Sequence, residues 1–490
     1  MSLIQIVNFS FGYNELLFED VNIHFDTSMK IGLIGDNGKG KTTFLNVLKE
    51  SHEYRKSIIH KTHFSYFPYT VDNEYTLTID IINDLLNDCP IWKIEKEMNL
   101  LNVHLDCLYQ LFSTLSEGEK TKILLIILFL KEEEFILIDE PTNHLDMDSR
   151  DILASYLNKK KGYILVSHDR SFMNKCIDYV LEIREKKMYL THGNFETWYN
   201  EREKRWQYES VQNERLKKEI RDLDKAAKQM ANWSDKVEKS KNGTRVAGLK
   251  VDKGHVGHMS AKMMKKSKNA QRRKEKAIED KQELLKDIDE KEEIILTPLD
   301  TSIKLFASLK DVSIVYDRCI VENFSLDIYK GDKIALIGPN GCGKSSLLKA
   351  IIGENDYQGE IRINPQINIV YVNQQFDFLK GSLKDYIISQ KGDIPLTLTI
   401  LRKLGCPRLM FDKKLETLSY GQRRKVMIAV ALSKKAHLYL FDEILNYIDL
   451  KARMMIEEML KDSEATILFV EHDKHFVDAI ATKTIEIKKL

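Results

Sequence analysis

No stretch of this chain could cross a membrane as a helix. Such a span needs about 20 consecutive apolar residues, and the longest apolar run here, Ile123 to Leu130, is eight residues held between Lys122 and Lys131. The run reads as part of a buried helix, and a transport pathway within the chain is excluded. Net charge is nearly absent as well: 75 Lys and Arg oppose 74 Asp and Glu, leaving +1. The chain as a whole is therefore no generic polyanion binder, and any basic surface must be local. Cysteine is scarce. The six (Cys89, Cys107, Cys176, Cys319, Cys342 and Cys406) are scattered and make no CxxC metal spacing. Reduced thiols in the cytoplasm fit this usage better than disulfides. Met1-Ser2-Leu3-Ile4-Gln5 lacks the charged leader and apolar core of a signal peptide. What is present, 490 residues of which 43% are apolar, suffices for about three domains of roughly 150 residues.

The chain repeats itself at an offset of 303 positions, which reorganises its whole reading. Gly35-Asp36-Asn37-Gly38-Lys39-Gly40-Lys41-Thr42 recurs as Gly338-Pro339-Asn340-Gly341-Cys342-Gly343-Lys344-Ser345. Leu115-Ser116-Glu117-Gly118-Glu119 recurs as Leu418-Ser419-Tyr420-Gly421-Gln422, and Ile138-Asp139-Glu140 as Phe441-Asp442-Glu443. Ser167-His168-Asp169 returns as Glu471-His472-Asp473, one residue later. Each glycine motif follows an apolar strand and precedes an apolar helix beginning near Thr43 or Ser346, the context of a phosphate-binding loop. The glycines let backbone N–H groups turn onto phosphates. Lys41 and Lys344 would neutralise phosphate charge, and Thr42 and Ser345 would ligate Mg²⁺. The Asp-Glu pairs end apolar strands, which suits Asp139 and Asp442 to Mg²⁺ and Glu140 and Glu443 to polarising an attacking water. His168 and His472, each after a further strand, could sense the γ-phosphate. ATP and Mg²⁺ are the expected cofactors.

The Leu-Ser-x-Gly-[Glu/Gln] element starts its serine 75 residues after each loop lysine and 23 before each strand-terminal Asp. With it the pattern resembles ABC ATPases in both halves. The resemblance implies two domains facing head to tail, each ATP being enclosed by one half's P-loop and the other half's signature. One site would join Lys41, Thr42, Asp139, Glu140 and His168 with Ser419 and Gly421. The other would join Lys344, Ser345, Asp442, Glu443 and His472 with Ser116 and Gly118; Glu119 and Gln422 close the two signatures. A monomer can therefore complete both sites. The resemblance also implies that Tyr13 and Tyr316 stack on adenine and that Gln374 meets γ-phosphate and Mg²⁺. The counterpart of Gln374 is Tyr69, which cannot ligate as an amide does. Asp139-Glu140 continues as Pro141-Thr142-Asn143-His144-Leu145-Asp146, but Asp442-Glu443 continues as Ile444-Leu445-Asn446-Tyr447-Ile448-Asp449. Asymmetric sites are expected.

Between the halves, Leu216, Ile220, Leu223, Ala227 and Met230 recur at the spacing of a coiled-coil seam, and Met263, Ala270, Ala277 and Leu284 recur every seven residues. Asn242 to Gly248 and Gly254 to His258 interrupt both patterns. An antiparallel helical hairpin with an irregular tip follows, whose arms of about 40 residues would project roughly 60 Å. From Lys241 to Lys276 there are 12 Lys and Arg against two acids. A merely solvated face tolerates mixed signs; this stretch excludes acids, so phosphate contact by Arg245, Lys250, Lys253, Lys262, Lys265, Lys266, Lys268, Arg272 and Arg273 is the better reading. The expected architecture is α/β: two ABC-type P-loop ATPase domains in tandem (1–197 and 301–490) joined by a long antiparallel α-helical hairpin (198–300).

Two cassettes, no span and a basic hairpin together resemble the ABC-F translation factors across essentially the whole chain. Leu418-Ser419-Tyr420-Gly421-Gln422-Arg423-Arg424-Lys425-Val426 and Asp442-Glu443-Ile444-Leu445-Asn446-Tyr447 look most like the Lsa-type antibiotic-resistance members. That resemblance implies a cytoplasmic, monomeric ATPase without a membrane subunit. It would bind the ribosome at the tRNA exit site and extend its hairpin towards rRNA and tRNA at the peptidyl-transferase centre. Lincosamides, pleuromutilins and streptogramin A compounds would be the drugs countered. A housekeeping ABC-F factor that rescues stalled ribosomes, the soluble ATPase subunit of an exporter, and a DNA-binding ATPase remain the alternatives. The last expected strand ends close to Leu490, so no C-terminal coiled coil is expected.

Overall fold

A parallel strand covered on both faces can keep no polar side, and the short apolar runs of this chain become such strands. Tyr163–Val166 and Thr466–Val470 are buried at every position. The computed structural model describes residues 2–13, 16–36, 38–54, 56–86, 89–131, 134–143, 145–240, 272, 295–316, 318–374 and 379–489; of 223–224 and 226–240 it describes the backbone. The chain divides into two compact units, Met1–Trp198 together with Glu293–Leu490, and Tyr199–Glu292.

In the first half, β1 (Leu3–Gly12), β2 (Leu16–Asp26) and β4 (Ile58–Ile59) form an antiparallel sheet ordered β2-β1-β4. The second sheet is ordered β5-β6-β7-β3-β8-β9, from β3 (Lys30–Ile34), β5 (His63–Phe67), β6 (Glu134–Asp139), β7 (Tyr163–Val166), β8 (Tyr179–Arg184) and β9 (Lys187–His192). Only β9 runs antiparallel in it. Helix α1 (Lys41–Lys49) buries Phe44, Leu45 and Leu48 in one core with Phe18 and Phe25 of the small sheet and Leu33, Leu137 and Val166 of the large one. A helical layer of α2 (Thr78–Leu86), α3 (Ile91–Leu100) and α4 (Glu117–Leu130) follows, then α5 (Met147–Lys159) and α6 (Arg170–Cys176). Helix α4 buries every residue from Lys122 to Leu128, where the longest apolar run lies. Among the described residues, no helix is long and apolar enough to cross a membrane.

The second half repeats this plan. Strands β10 (Leu305–Val315), β11 (Cys319–Tyr329) and β13 (Gln358–Ile363) form the small sheet. The parallel sheet is ordered β14-β15-β16-β12-β17, from β12 (Lys333–Ile337), β14 (Ile369–Val372), β15 (Leu438–Asp442), β16 (Thr466–Val470) and β17 (Lys483–Glu486). Its helices are α8 (Lys344–Ile351), α9 (Leu383–Ser389), α10 (Ile394–Lys403), α11 (Tyr420–Ser433), α12 (Leu450–Lys461) and α13 (Lys474–Ile480). Between the halves, α7 (Phe195–Ser240) runs 46 residues, about 70 Å at the usual rise. The expected return arm with Met263, Ala270, Ala277 and Leu284 lies outside the described residues.

The halves meet across buried charge. The Arg150 guanidinium on α5 donates to Leu145 O (2.9 Å), Asp169 Oδ2 (2.9 Å) and, across the seam, His472 O (3.1 Å). Arg453 on α12 repeats the arrangement, donating to Ile448 O (2.9 Å) and lying 3.5 Å from Asp473 Oδ2. Burial, and then the neighbouring Asp473, push the Asp169 carboxyl above its ordinary range. Arg170 pairs with Glu457 at 2.7 Å nearby, and Met147 packs on the apolar helical core of the second half. Removing one partner of a buried pair strands the other. Arg150→Ala should therefore destabilise the chain by about 3–5 kcal/mol, read as a lowered thermal unfolding midpoint. A midpoint unchanged from the parent would mean that water already screens the seam.

Candidate active sites

Both glycine loops end at a helix N-terminus built for an anion. Gly40 and Gly343 precede α1 and α8 at φ 94°, with no side chain capping the first turn. A Cβ at Gly40 would come within 2.8 Å of Phe18, and one at Gly343 within 2.5 Å of Val321. Uncapped first-turn N–H groups at a helix N-terminus suit an anion such as phosphate. Lys41 Nζ donates to Gly35 O at 2.6 Å, while Lys344 Nζ donates to Gly338 O and Pro339 O, both at 2.8 Å. Each buried ammonium thus touches the oxygens of its own loop. Asp36, Gly38, Lys39 and Thr43 share the first loop and its helix, and Asn340, Gly341, Cys342 and Ser346 the second. Asn37 lies outside the described residues.

At the strand ends a hydroxyl meets a carboxylate. Thr42 Oγ1 donates to Asp139 Oδ2 at 2.7 Å, and Ser345 Oγ to Asp442 Oδ1 at 2.8 Å. The phenols of Tyr66 and Tyr371 donate to the same aspartates at 3.1 and 3.3 Å. These tyrosines were not legible as site residues, although each stands three positions before Tyr69 or Gln374. Strand register makes them equivalent: Tyr66 pairs with Leu137 and Tyr371 with Leu440. Burial raises both aspartates despite the hydroxyl donors, so the chain's own groups do not fully compensate their charge.

The next residues, Glu140 and Glu443, adopt left-handed backbone, φ 51° and 48°, a conformation that an L residue holds only under constraint. Their N–H groups donate to Val166 O and Val470 O, each at 2.9 Å. His168 and His472 approach them to 3.4 Å. Burial lowers both imidazoles, so they are neutral at pH 7. The two acids then diverge. Glu443 accepts from Gln374 Nε2 at 2.9 Å and from Asn446 Nδ2 at 2.6 Å. Burial raises it, but His472, Lys344 and Asn446 outweigh burial and hold it below the usual value. Glu140 Oε1 is buried without a hydrogen-bond partner, and burial pushes this carboxyl up to about 7. Tyr69, in the place of Gln374, lines a small apolar pocket with Leu85, Leu124 and Leu128.

The loops beyond the acids differ through a matched exchange. In the first half Thr142 and Ser167 share a hydrogen bond of 3.2 Å. In the second, Ile444 and Leu445 are both 1% exposed, and the Leu445 N–H donates to Glu471 Oε1 at 2.8 Å. Burial raises that carboxyl to about 8.

Each signature doubles as a capping box. Ser116 and Glu119 bond reciprocally at the start of α4, Ser419 and Gln422 at the start of α11, with Gly118 and Gly421 in the first turns. Asp146, beyond the first acid, reaches across the seam and accepts from the Asn340 N–H at 3.2 Å. Tyr316 donates to Ser346 Oγ at 3.4 Å, beside its P-loop helix, whereas Tyr13 stands edge-on to Phe11 and is 77% exposed. Arg272 is helical and exposed. Arg245, Lys250, Lys253, Lys262, Lys265, Lys266, Lys268 and Arg273 lie outside the described residues.

Residues 18–143 and 321–446 each match the ABC transporter family, so the two matches repeat the internal offset. The chain belongs to that family. Its two ATPase domains make it an ATP hydrolase. It is similar to the ATP-binding protein Uup of Buchnera aphidicola (28% identity, 99% of this chain and 80% of the relative). It is also similar to the ribosome protection protein VmlR of Bacillus subtilis (26% identity, 99% of this chain and 86% of the relative). In fold it is similar to an RNase-L inhibitor (TM-score 0.62, 18% identity, 98% and 87% covered). A second likeness is to ribosome-bound archaeal Pelota and ABCE1 (TM-score 0.63, 18% identity, 98% and 76% covered).

The acids should titrate apart. The ratio kcat/KM reports groups of the free enzyme, and a protonated carboxyl cannot take a proton from water. In Glu443→Gln, which leaves the Glu140 site, kcat/KM for ATP should fall as pH drops through about 7. In Glu140→Gln it should hold over the same range, because Glu443 stays ionised. The titration of ATP itself is common to both variants. Coincident acid limbs would overturn the assigned difference.

Proposed function

We propose that this chain is a ribosome-associated ATPase of the ABC-F type, of the Lsa-like group, that protects the peptidyl-transferase centre from lincosamides, pleuromutilins and streptogramin A compounds. The observation that carries the reading is the pairing of two nucleotide sites in one unit with a 36-residue insert segment holding 12 cations and two acids. Likeness to VmlR over 99% of the chain supports it. An ATPase that only energised a membrane partner would have no use for a cationic hairpin.

In this reading the P-loop N–H groups, Lys41 and Lys344 bind the phosphates of ATP. The hydroxyl–carboxylate pairs Thr42–Asp139 and Ser345–Asp442, hard oxygen donors with uncompensated charge, fit Mg²⁺, and Gln374 joins the second pair. Bound Mg²⁺ would neutralise phosphate charge. Glu140 and Glu443 orient water, His168 and His472 donate to the γ-phosphate, and Tyr13 and Tyr316 stack on adenine. Ser116 and Gly118 complete the second site, Ser419 and Gly421 the first. Closure on ATP holds the factor at the tRNA exit site, and hydrolysis releases it. The hairpin changes rRNA and tRNA geometry around the drug, which needs only a difference in drug affinity between two ribosome states.

Changing both acids to Gln should spare ATP binding, stop turnover and trap the chain on ribosomes; unchanged turnover would remove the acid assignment. The single variants should differ several-fold in residual rate. Neutralising Lys262, Lys265, Lys266 and Lys268 together should flatten the salt dependence of ribosome binding by up to about four phosphate contacts. Shortening the tip between Gly243 and Lys253 should leave binding and ATP turnover in place but alter which drugs are countered during translation in vitro. Full protection against every drug after that change would favour the housekeeping alternative.

A further inference from the structure

Among the buried cations outside the phosphate loops, one stands directly behind an acid. Arg424, in the second turn of α11, is 1% exposed, and its guanidinium donates to four backbone carbonyls. Nη1 meets Asn373 O and, at 3.2 Å, Gln374 O. Nη2 meets Asp442 O at 2.9 Å and Glu443 O at 2.8 Å. The first pair belongs to the segment after β14, the second to the end of β15. Those segments carry the two partners of the Gln374–Glu443 hydrogen bond. A planar fork with fixed donor directions suits the bridging of two chain segments, as a single ammonium does not.

Among the described residues, the first half has no such clamp. The residue at the matching position of α4 is Thr121, too short to span two segments, and there Glu140 Oε1 lacks a hydrogen-bond partner. The acid with ligands is the one behind the arginine. The acidic groups facing Arg424 are Glu471, Asp442 and Glu443, so its cation also sits against the acids of its own half. Because Ser419 caps α11, the fork joins the signature helix of this half to the acid of the same half.

We propose that Arg424 is a positioning residue for the second site alone, fixing Gln374 against Glu443 and tying that pair to the signature helix. The inference rests on the reading of Glu443 as the acid that orients water. The test uses the full chain with Arg424→Gln and Arg424→Lys, each placed on Glu140→Gln, which leaves the second site, and on Glu443→Gln, which leaves the first. On the first background, kcat for ATP should fall about tenfold or more with KM changed less than about threefold, since loss of orientation acts on the chemical step. On the second, kcat should stay within about twofold, which also reports that the chain is folded. Arg424→Lys keeps charge but not the fork and should recover little of the lost rate. Equal losses on both backgrounds, an unchanged second site, or full recovery with Lys would each overturn the proposal. Turnover persisting in the Glu140→Gln, Glu443→Gln chain would instead remove the acid assignment beneath it.

Discussion

An ion taken from water loses several kcal/mol of solvation unless a partner replaces it. At the seam four such ions, Arg150, Asp169, Arg453 and Asp473, are all less than a tenth exposed. Both sites are attached to this cluster. Arg150 holds the carbonyl of His472, Arg453 favours the charged form of Glu140, and Asp146 engages the second P-loop through Asn340. Each half therefore supplies atoms to the surroundings of the other's acid. A seam of this kind has two favourable conditions, charges paired or charges hydrated, and little between them.

Against this symmetric frame the acids stand in unlike surroundings. Glu443 has an amide on each side, while Glu140 has burial and few donors. The difference does not come from the acids or the histidines beside them, which are the same in both halves. It comes from their neighbours: Gln374 against Tyr69, Arg424 against Thr121, Glu471 against Ser167. Two repeated sites can thus be set to different chemical readiness while keeping the same loop lysine, strand-terminal Asp-Glu and histidine.

The nucleotide machinery was legible because its chemistry needs contiguous residues. A phosphate loop, a strand-terminal Asp-Glu and a signature serine each fit within eight positions, and the 303-residue offset marks them twice. The seam was not legible, since Arg150 and His472 are 322 positions apart and no single motif holds both. Tyr66 and Tyr371 escaped for a different reason: their offset is 305 rather than 303, so the main repeat does not align them. The signature hid a second meaning, because Ser-x-x-Glu before an apolar run is also the pattern of a helix cap. Arg424 looked like one more cation in a basic string until its burial separated it from Arg423.

The exchange of Thr142 and Ser167 for Leu445 and Glu471 limits how parts could be swapped between the halves. The buried backbone N–H of Leu445 donates to the Glu471 carboxyl, and an unmet buried donor is costly. Glutamate without that loop would in turn bury a carboxyl with one fewer ligand. A loop moved between the halves would therefore have to take its distant partner along.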